Sequence, residues 1–111
     1  MSQLSYQFSD HDSAIVQQCL RFLVESNYLW DEEFSTRTGI ERDEMESVMK
    51  AWPNVNYNDK DSTAQLAVNS SLVEVCLGER IAPLLWSQYF SISRNEVKDV
   101  LDRWLEEKRH D

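Results

Sequence analysis

The side chains of this sequence that could take part in chemistry are mostly carboxylates, and they are concentrated in one stretch. Residues 31–46 hold seven acids and two bases, in a chain whose net charge is −9. Carboxylates at this density repel polyanions, attract basic surfaces and speed association with them. An aromatic residue beside them can anchor an interface. We therefore predict ten partner-binding residues and leave open whether they converge on one surface: Trp30, Asp31, Glu32, Glu33, Glu41, Asp43, Glu46, Tyr57, Asp59 and Asp61.

The same acids have a second interpretation, in which they form a solvated face. Acids in the first turn of a helix interact favourably with its dipole, and a glutamate at the third helical position can close a capping box. Glu44 stands at such a position. This interpretation accounts for part of the charge after residue 40 and leaves Asp31, Glu32 and Glu33 unexplained.

Catalytic and metal-binding patterns are not found in the sequence. His11 and His110 lie near the two ends, with no nucleophile pattern between them. The spacing Asp59-x-Asp61 resembles the start of a calcium loop, but the sixth loop position is Ala64 where such a loop needs glycine. We expect a protein that is not an enzyme, with no catalytic residue, metal, cofactor or small-molecule substrate.

Helical spacing of apolar residues predicts six segments that must position these acids. The first three run roughly over 12–27, 30–37 and 42–51. Ser9 fits a cap before the first segment, and Gly39 fits a stop after the second. The fourth runs from a Ser62 cap to about Leu77, the fifth opens at Pro83, and the sixth is capped by Ser93. The fourth segment is expected to bury its apolar residues, which include Leu66, Val73 and Leu77. With only two glycines and two prolines in 111 residues, we predict a compact all-α bundle in one domain.

The second half of the chain repeats the first at a constant offset of 52 residues. Eight identical pairs carry the repeat: Val16/Val68, Leu20/Leu72, Ser35/Ser87, Ile40/Ile92, Arg42/Arg94, Glu44/Glu96, Val48/Val100 and Trp52/Trp104. They predict two long–short–long units, about 12–53 and 64–105, related by internal duplication and packed face to face. The alternative is that any two amphipathic helices resemble each other.

The second and third segments have the spacing of a helix-turn-helix, with a glycine at the turn. The helix that would read DNA begins Glu41-Arg42-Asp43-Glu44 and would point carboxylates at phosphates. DNA affinity depends on Lys and Arg side chains that neutralise phosphates, whereas the net charge at the start of this helix is negative. We predict no direct binding of nucleic acid.

The remaining features bear on location and the core. Cys19 and Cys76 stand among apolar residues and are predicted to be buried free thiols, although a disulfide between them stays open. Residues 1–12 have no pattern of a secretory signal, and no run of 18 apolar residues occurs, so we expect a cytoplasmic protein without membrane contact. Trp52, Trp86 and Trp104 are predicted to lie in the core.

The stretch Leu66–Leu77 (LAVNSSLVEVCL) followed by Trp86–Trp104 (WSQYFSISRNEVKDVLDRW) resembles the C-terminal half of some small bacterial immunity proteins. These are the cognate inhibitors of contact-dependent growth-inhibition toxins. The resemblance covers about half the chain, rests on the amphipathic pattern and on acidic, glycine-poor character, and transfers no functional residue. It implies a cytoplasmic protein that binds a toxin domain, often a basic nuclease, and blocks its active site.

Two other functions are compatible with the sequence. One is a helical adaptor or regulatory module that binds another protein's helix in an apolar groove between the two units. The other is a structural component of a phage or mobile element, such as a DNA mimic. The dependence of binding on ionic strength distinguishes the adaptor from a protein whose binding is steered by charge. Screening weakens attraction between exposed charges and leaves apolar contacts nearly unchanged.

Overall fold

The computed structural model describes residues 6–26, 28–59, 61–78 and 81–109. These residues form six helices and no strand, so the predicted all-α bundle is confirmed. The helices are α1 (Asp10–Glu25), α2 (Asp31–Thr38), α3 (Arg42–Ala51), α4 (Thr63–Cys76), α5 (Pro83–Tyr89) and α6 (Arg94–Arg109). Each predicted start lies within two residues of the observed one, and the predicted end of the first segment, at residue 27, falls outside the described residues.

Local side-chain chemistry sets these helix ends. The Ser9 hydroxyl accepts the Asp12 N–H at 3.1 Å at the start of α1, and the Ser62 hydroxyl accepts the Gln65 N–H at 3.0 Å at the start of α4. Each bond satisfies a backbone donor that has no partner inside the helix. Gly39 ends α2 at φ +82°, a conformation that favours glycine.

The two long helices α1 and α4 pack against each other at the centre, and the other four helices surround them. α3 packs on α1 and α6 on α4, within the same half of the chain. The short helices cross over, since α2 packs on α4 and α5 packs on α1. The two halves are therefore interlocked around one continuous core, and no described helix is both long and apolar enough to cross a membrane.

Several contacts recur 52 residues apart. The Arg42 guanidinium lies 4.7 Å from the centre of the Phe34 ring, and that of Arg94 lies 5.3 Å from Trp86. Each arginine also donates to carbonyl oxygens at the end of the preceding long helix, Arg42 to Leu23 and Val24 and Arg94 to Gly78. The paired contacts follow the sequence repeat, and the internal duplication itself stays a prediction.

An aromatic cluster fills one end of the bundle. The Phe8 ring lies between those of Trp52 and Trp104, at centroid distances of 5.8 and 5.2 Å. The Tyr57 ring lies 5.1 Å from Phe8. The Trp52 Nε1–H donates to the Ser13 carbonyl oxygen at 3.0 Å, which joins the end of α3 to the start of α1. Trp52 and Trp104 are core residues as predicted, whereas Trp86 is half-buried.

The prediction that α4 buries all of its apolar residues is wrong. Leu66 is 39 % exposed, Leu77 is 68 % exposed and Val73 is half-buried. α4 meets its neighbours on one broad side, where Val68 and Leu72 are buried, and these three residues fall on the remaining side. Apolar residues occur all around α4, so their identity alone did not show which flank the neighbouring helices would leave open.

Both cysteines are free thiols, as predicted. Cys19 is buried, whereas Cys76 is only half-buried, which corrects the prediction for that residue. Burial raises the pKa of the Cys19 thiol well above its ordinary value. Burial also raises the pKa of Cys76, with a further contribution from the Asp102 carboxylate. Both thiols are therefore poor nucleophiles at neutral pH.

Candidate functional site

Arg42 fixes the geometry of the region where the acids are concentrated. Its Nη1 donates to the carbonyl oxygens of Leu23 and Val24, both at 3.1 Å, and its Nη2 donates to that of Leu29 at 2.6 Å. Its guanidinium also stacks on Phe34 in α2. One side chain at the first turn of α3 thus holds the end of α1 and the segment that leads into α2.

This arrangement brings the first turns of α2 and α3 to the same end of the bundle. Glu32 and Glu33 lie in the first turn of α2, and Glu41 and Asp43 lie at the start of α3. All four side chains are exposed, and we call them the acidic face. Asp31 is the first residue of α2, and its side chain lies outside the described residues.

The two bases of residues 31–46 contact groups outside the acidic face. Arg37 pairs with the buried Glu74 of α4, with Nε 2.6 Å from Oε1 and Nη2 2.9 Å from Oε2. Arg42 is bound to three backbone carbonyls. Within the described part of the chain, no cation pairs with Glu32, Glu33 or Asp43. These three carboxylates of the acidic face therefore have no ion-pair partner among the described residues.

Trp30 stands at the edge of this face. It is the residue before α2, and its side chain is 77 % exposed, in contrast to the buried Trp52 and Trp104. An indole that projects beside carboxylates combines a large apolar contact area with a hydrogen-bond donor. The structure therefore leaves Trp30 accessible to a partner, which is the condition that its predicted role requires.

Structural contacts involve Glu41 of the acidic face and two further acids of this region, Glu44 and Glu46. Glu41 and Glu44 form a reciprocal capping box at the start of α3, in which the Glu41 N–H donates to Glu44 Oε1 at 3.0 Å. The predicted capping role of Glu44 is thereby confirmed. Glu46 is half-buried, and its carboxylate lies 3.8 Å from Lys50 Nζ. Glu46 therefore contributes less free charge than Glu32, Glu33 or Asp43.

Tyr57, Asp59 and Asp61 lie apart from the acidic face. α3 runs antiparallel to α1, because Arg42 reaches the end of α1 whereas Trp52 bonds to its start. The loop after Trp52 is thus separated from the acidic face by the 10 residues of α3, about 15 Å. Tyr57 is half-buried in the aromatic cluster, and Asp59 Oδ1 accepts the Asp61 N–H at 3.0 Å. The ten predicted residues do not form one surface.

The open flank of α4 is a second surface, which the sequence-based predictions did not include. Leu66, Val73 and Leu77 recur there at intervals of seven and four residues, which places them on one side of the helix. This spacing was the signal that could have separated them from Val68 and Leu72. The flank borders α2, whose Arg37 lines a cavity of about 390 Å³ with Val73 and Leu77.

Metal binding has no support from the described residues, where no group of three or more His, Cys, Asp or Glu side chains could hold an ion. No protein-family model, curated protein or solved structure matches the chain.

Proposed function

We propose that this chain is an immunity protein that binds a cognate bacterial toxin in the cytoplasm and covers its active site. The toxin is a basic domain, with nucleases as the favoured class. One observation carries the proposal: Glu32, Glu33 and Asp43 are exposed and take part in no salt bridge among the described residues. Nucleases bind polyanions, so their clefts are basic, and carboxylates can occupy the positions that phosphates would take.

The acidic face and Trp30 have complementary tasks in this proposal. Exposed carboxylates steer a basic domain toward the face and raise the association rate, and they add less to the lifetime of the complex. A large aromatic side chain that becomes buried in a pocket of the partner contributes mainly to the lifetime. Trp30, 77 % exposed in the free protein, fits that second task.

The test compares two double variants that change the net charge by the same amount. Glu32→Lys/Asp43→Lys alters the acidic face, whereas Asp99→Lys/Glu107→Lys alters two exposed acids of α6. None of the four side chains takes part in a salt bridge among the described residues. Far-UV circular dichroism checks that each variant retains its helices.

Each tagged variant and the parent protein capture partners from lysates of the source cells and of neighbouring strains, at low salt and at about 1 M salt, where the Debye length is roughly 3 Å. We expect the parent and the α6 variant to retain one basic protein at low salt. The acidic-face variant should lose it, and the isolated partner should degrade nucleic acid until the parent protein is added. Equal retention by both variants would refute the acidic face as the binding surface. A partner without toxic activity would refute the immunity function.

A further inference from the structure

A cavity of about 390 Å³ lies between the last turn of α2 and one side of α4. Two apolar and four polar residues line it: Val73, Leu77, Arg37, Asn69, Ser70 and Glu74. Pockets that bind small molecules have volumes of roughly 300 to 1,000 Å³ and combine an apolar wall with a few polar groups. This cavity has both features and lies at the small end of that range, so its ligand would be small.

The only carboxylate of the cavity lining is already paired, and the pairing leaves donors over. Glu74 is 5 % exposed; its Oε1 lies 2.6 Å from Arg37 Nε, and its Oε2 accepts from Arg37 Nη2 at 2.9 Å. Arg37 Nη1 takes part in no hydrogen bond among the described residues. Because a guanidinium carries five N–H donors, Arg37 can bind a further acceptor while it holds Glu74.

Asn69 adds donors of fixed orientation. Its Oδ1 accepts the Nε1–H of Trp104, a buried indole that can only donate, so the amide oxygen must face Trp104. The amide nitrogen Nδ2 has no acceptor among the described residues, and solvent reaches it. The neighbouring Ser70 hydroxyl donates to the Thr38 carbonyl oxygen at 2.6 Å, so only its oxygen is left as an acceptor. The groups left without a partner in the cavity are therefore mainly donors.

We infer that this cavity binds the carboxylate of a small aliphatic acid. Donors without partners need a ligand that brings acceptors. A carboxylate is the acceptor that a guanidinium binds best, because its two oxygens match two N–H groups and the bonds are charge-assisted. Val73 and Leu77 follow each other at an interval of four residues on α4, and they give the aliphatic part of the ligand an apolar wall.

This inference concerns a ligand site and does not rest on the proposed immunity function. The residues that line the cavity and those of the acidic face are different. Glu32→Lys/Asp43→Lys, which is expected to lose the toxin, should therefore retain the acid. A change at Asn69 should weaken binding of the acid and leave capture of the toxin intact, so the two proposals can fail separately.

The probe is 4-methylpentanoate at neutral pH and constant ionic strength. For a ligand of about eight non-hydrogen atoms we expect a dissociation constant of about 1 mM. Three control ligands vary one property each: 4-methylpentanamide lacks the charge, 3-methylbutylammonium has the opposite charge, and acetate lacks the aliphatic part. Binding is followed by nuclear magnetic resonance through the backbone amide signals, which should shift at Asn69, Ser70 and Val73.

The matched protein variants are Asn69→Asp and Asn54→Asp, each of which converts an amide to a carboxylate. Asn69→Asp keeps an oxygen that accepts the Trp104 N–H and replaces the donors with an oxygen that repels the ligand. Asn54 is exposed in the loop after α3 and does not line the cavity. We expect Asn69→Asp to weaken binding of the acid about tenfold, which is the loss that one bond to a charged group accounts for. Asn54→Asp should leave the dissociation constant unchanged.

A second variant, Arg37→Gln/Glu74→Gln, removes the guanidinium and keeps the net charge and two side chains that can bond to each other. It should also bind the acid about tenfold more weakly. Circular dichroism and urea unfolding verify that each variant is folded. The ligand controls use the parent protein, so they decide the proposal even where a variant loses its fold.

No binding of the acid, equal binding by the parent and both cavity variants, or signal shifts confined to other parts of the protein would overturn the site. Equal binding of the amide or of the ammonium would overturn the carboxylate as the group that is recognised. Equal binding of acetate would overturn the role of the apolar wall. Failure of these tests while Glu32→Lys/Asp43→Lys still abolishes capture of a basic toxin would remove the ligand site and leave the acidic face standing.

Discussion

Replacement of Arg42 by alanine tests whether one side chain holds the candidate site together. The change removes the donors to the carbonyls of Leu23, Val24 and Leu29 and the stacking on Phe34. One charge-assisted bond for each Nη atom contributes about 1.5 kcal/mol. Stacking of a guanidinium on an aromatic ring contributes about 0.5 to 1 kcal/mol. We expect Arg42→Ala to lower the free energy of unfolding by about 3.5 to 4 kcal/mol.

The repeat supplies an internal comparison. Arg94 makes one such bond, to the Gly78 carbonyl at 2.8 Å, and lies farther from its ring, at 5.3 Å. Arg94→Ala should therefore cost about 2 kcal/mol. Arg42→Lys keeps the charge but loses the planar fork that reaches several carbonyls, so its cost should be intermediate. Urea unfolding followed by circular dichroism measures all three variants.

The total stability of a small domain is about 5 to 15 kcal/mol, so the expected loss for Arg42→Ala shifts the urea midpoint clearly. A loss below about 1 kcal/mol, comparable to that of an average surface change, would refute the anchoring role of Arg42. If Arg42→Ala lowers the free energy of unfolding no more than Arg94→Ala does, the larger number of hydrogen bonds made by Arg42 does not add to stability, and the expected value for Arg42→Ala is wrong.

Three further predictions follow from single features. Gly39→Ala should lower the free energy of unfolding by about 1 to 2 kcal/mol in urea titrations, because φ is +82° and the new Cβ would crowd Leu66; an unchanged midpoint would contradict it. Trp30→Phe should remove most of the tryptophan emission that acrylamide quenches, because the Trp30 indole is 77 % exposed. The free energy of unfolding should not change. Quenching that persists in the variant would show that another indole is more accessible. Because burial raises the pKa of both thiols, alkylation of the folded protein should be slow at pH 8 and faster at higher pH. Cys76, which is less buried, should react before Cys19, and Cys76→Ser should remove the faster phase of the reaction. The unfolded thiols ionise first, so stability should fall as pH rises through their ordinary pKa, and a flat profile would contradict this.

Much of the local structure could be predicted because it depends on neighbours in sequence. Ser9, Ser62 and Pro83 mark the helix starts through bonds and backbone constraints that lie within a few residues of each of them. Gly39 marks the end of α2 for the same reason. The concentration of acids in residues 31–46 is a property of the sequence alone.

The partners of the charged residues could not be predicted, because they come from distant parts of the chain. Arg37 and Arg42 would cancel part of the acidic charge if they paired with Glu32, Glu33 or Asp43. Packing directs Arg37 to Glu74, 37 positions away, and Arg42 to Leu23, 19 positions away. The charge of the acidic face therefore depends on long-range contacts that composition cannot show.

The same distinction separates the two surfaces. The sequence by itself determined six helices, the starts of most of them and a strong negative charge, because helical spacing and capping act over a few residues. The tertiary structure alone decided that Tyr57 joins the aromatic cluster and that Trp30, Leu66 and Leu77 stay exposed. Burial of a helix flank depends on which neighbour covers it, and that is settled only when α2, α4 and α6 pack together.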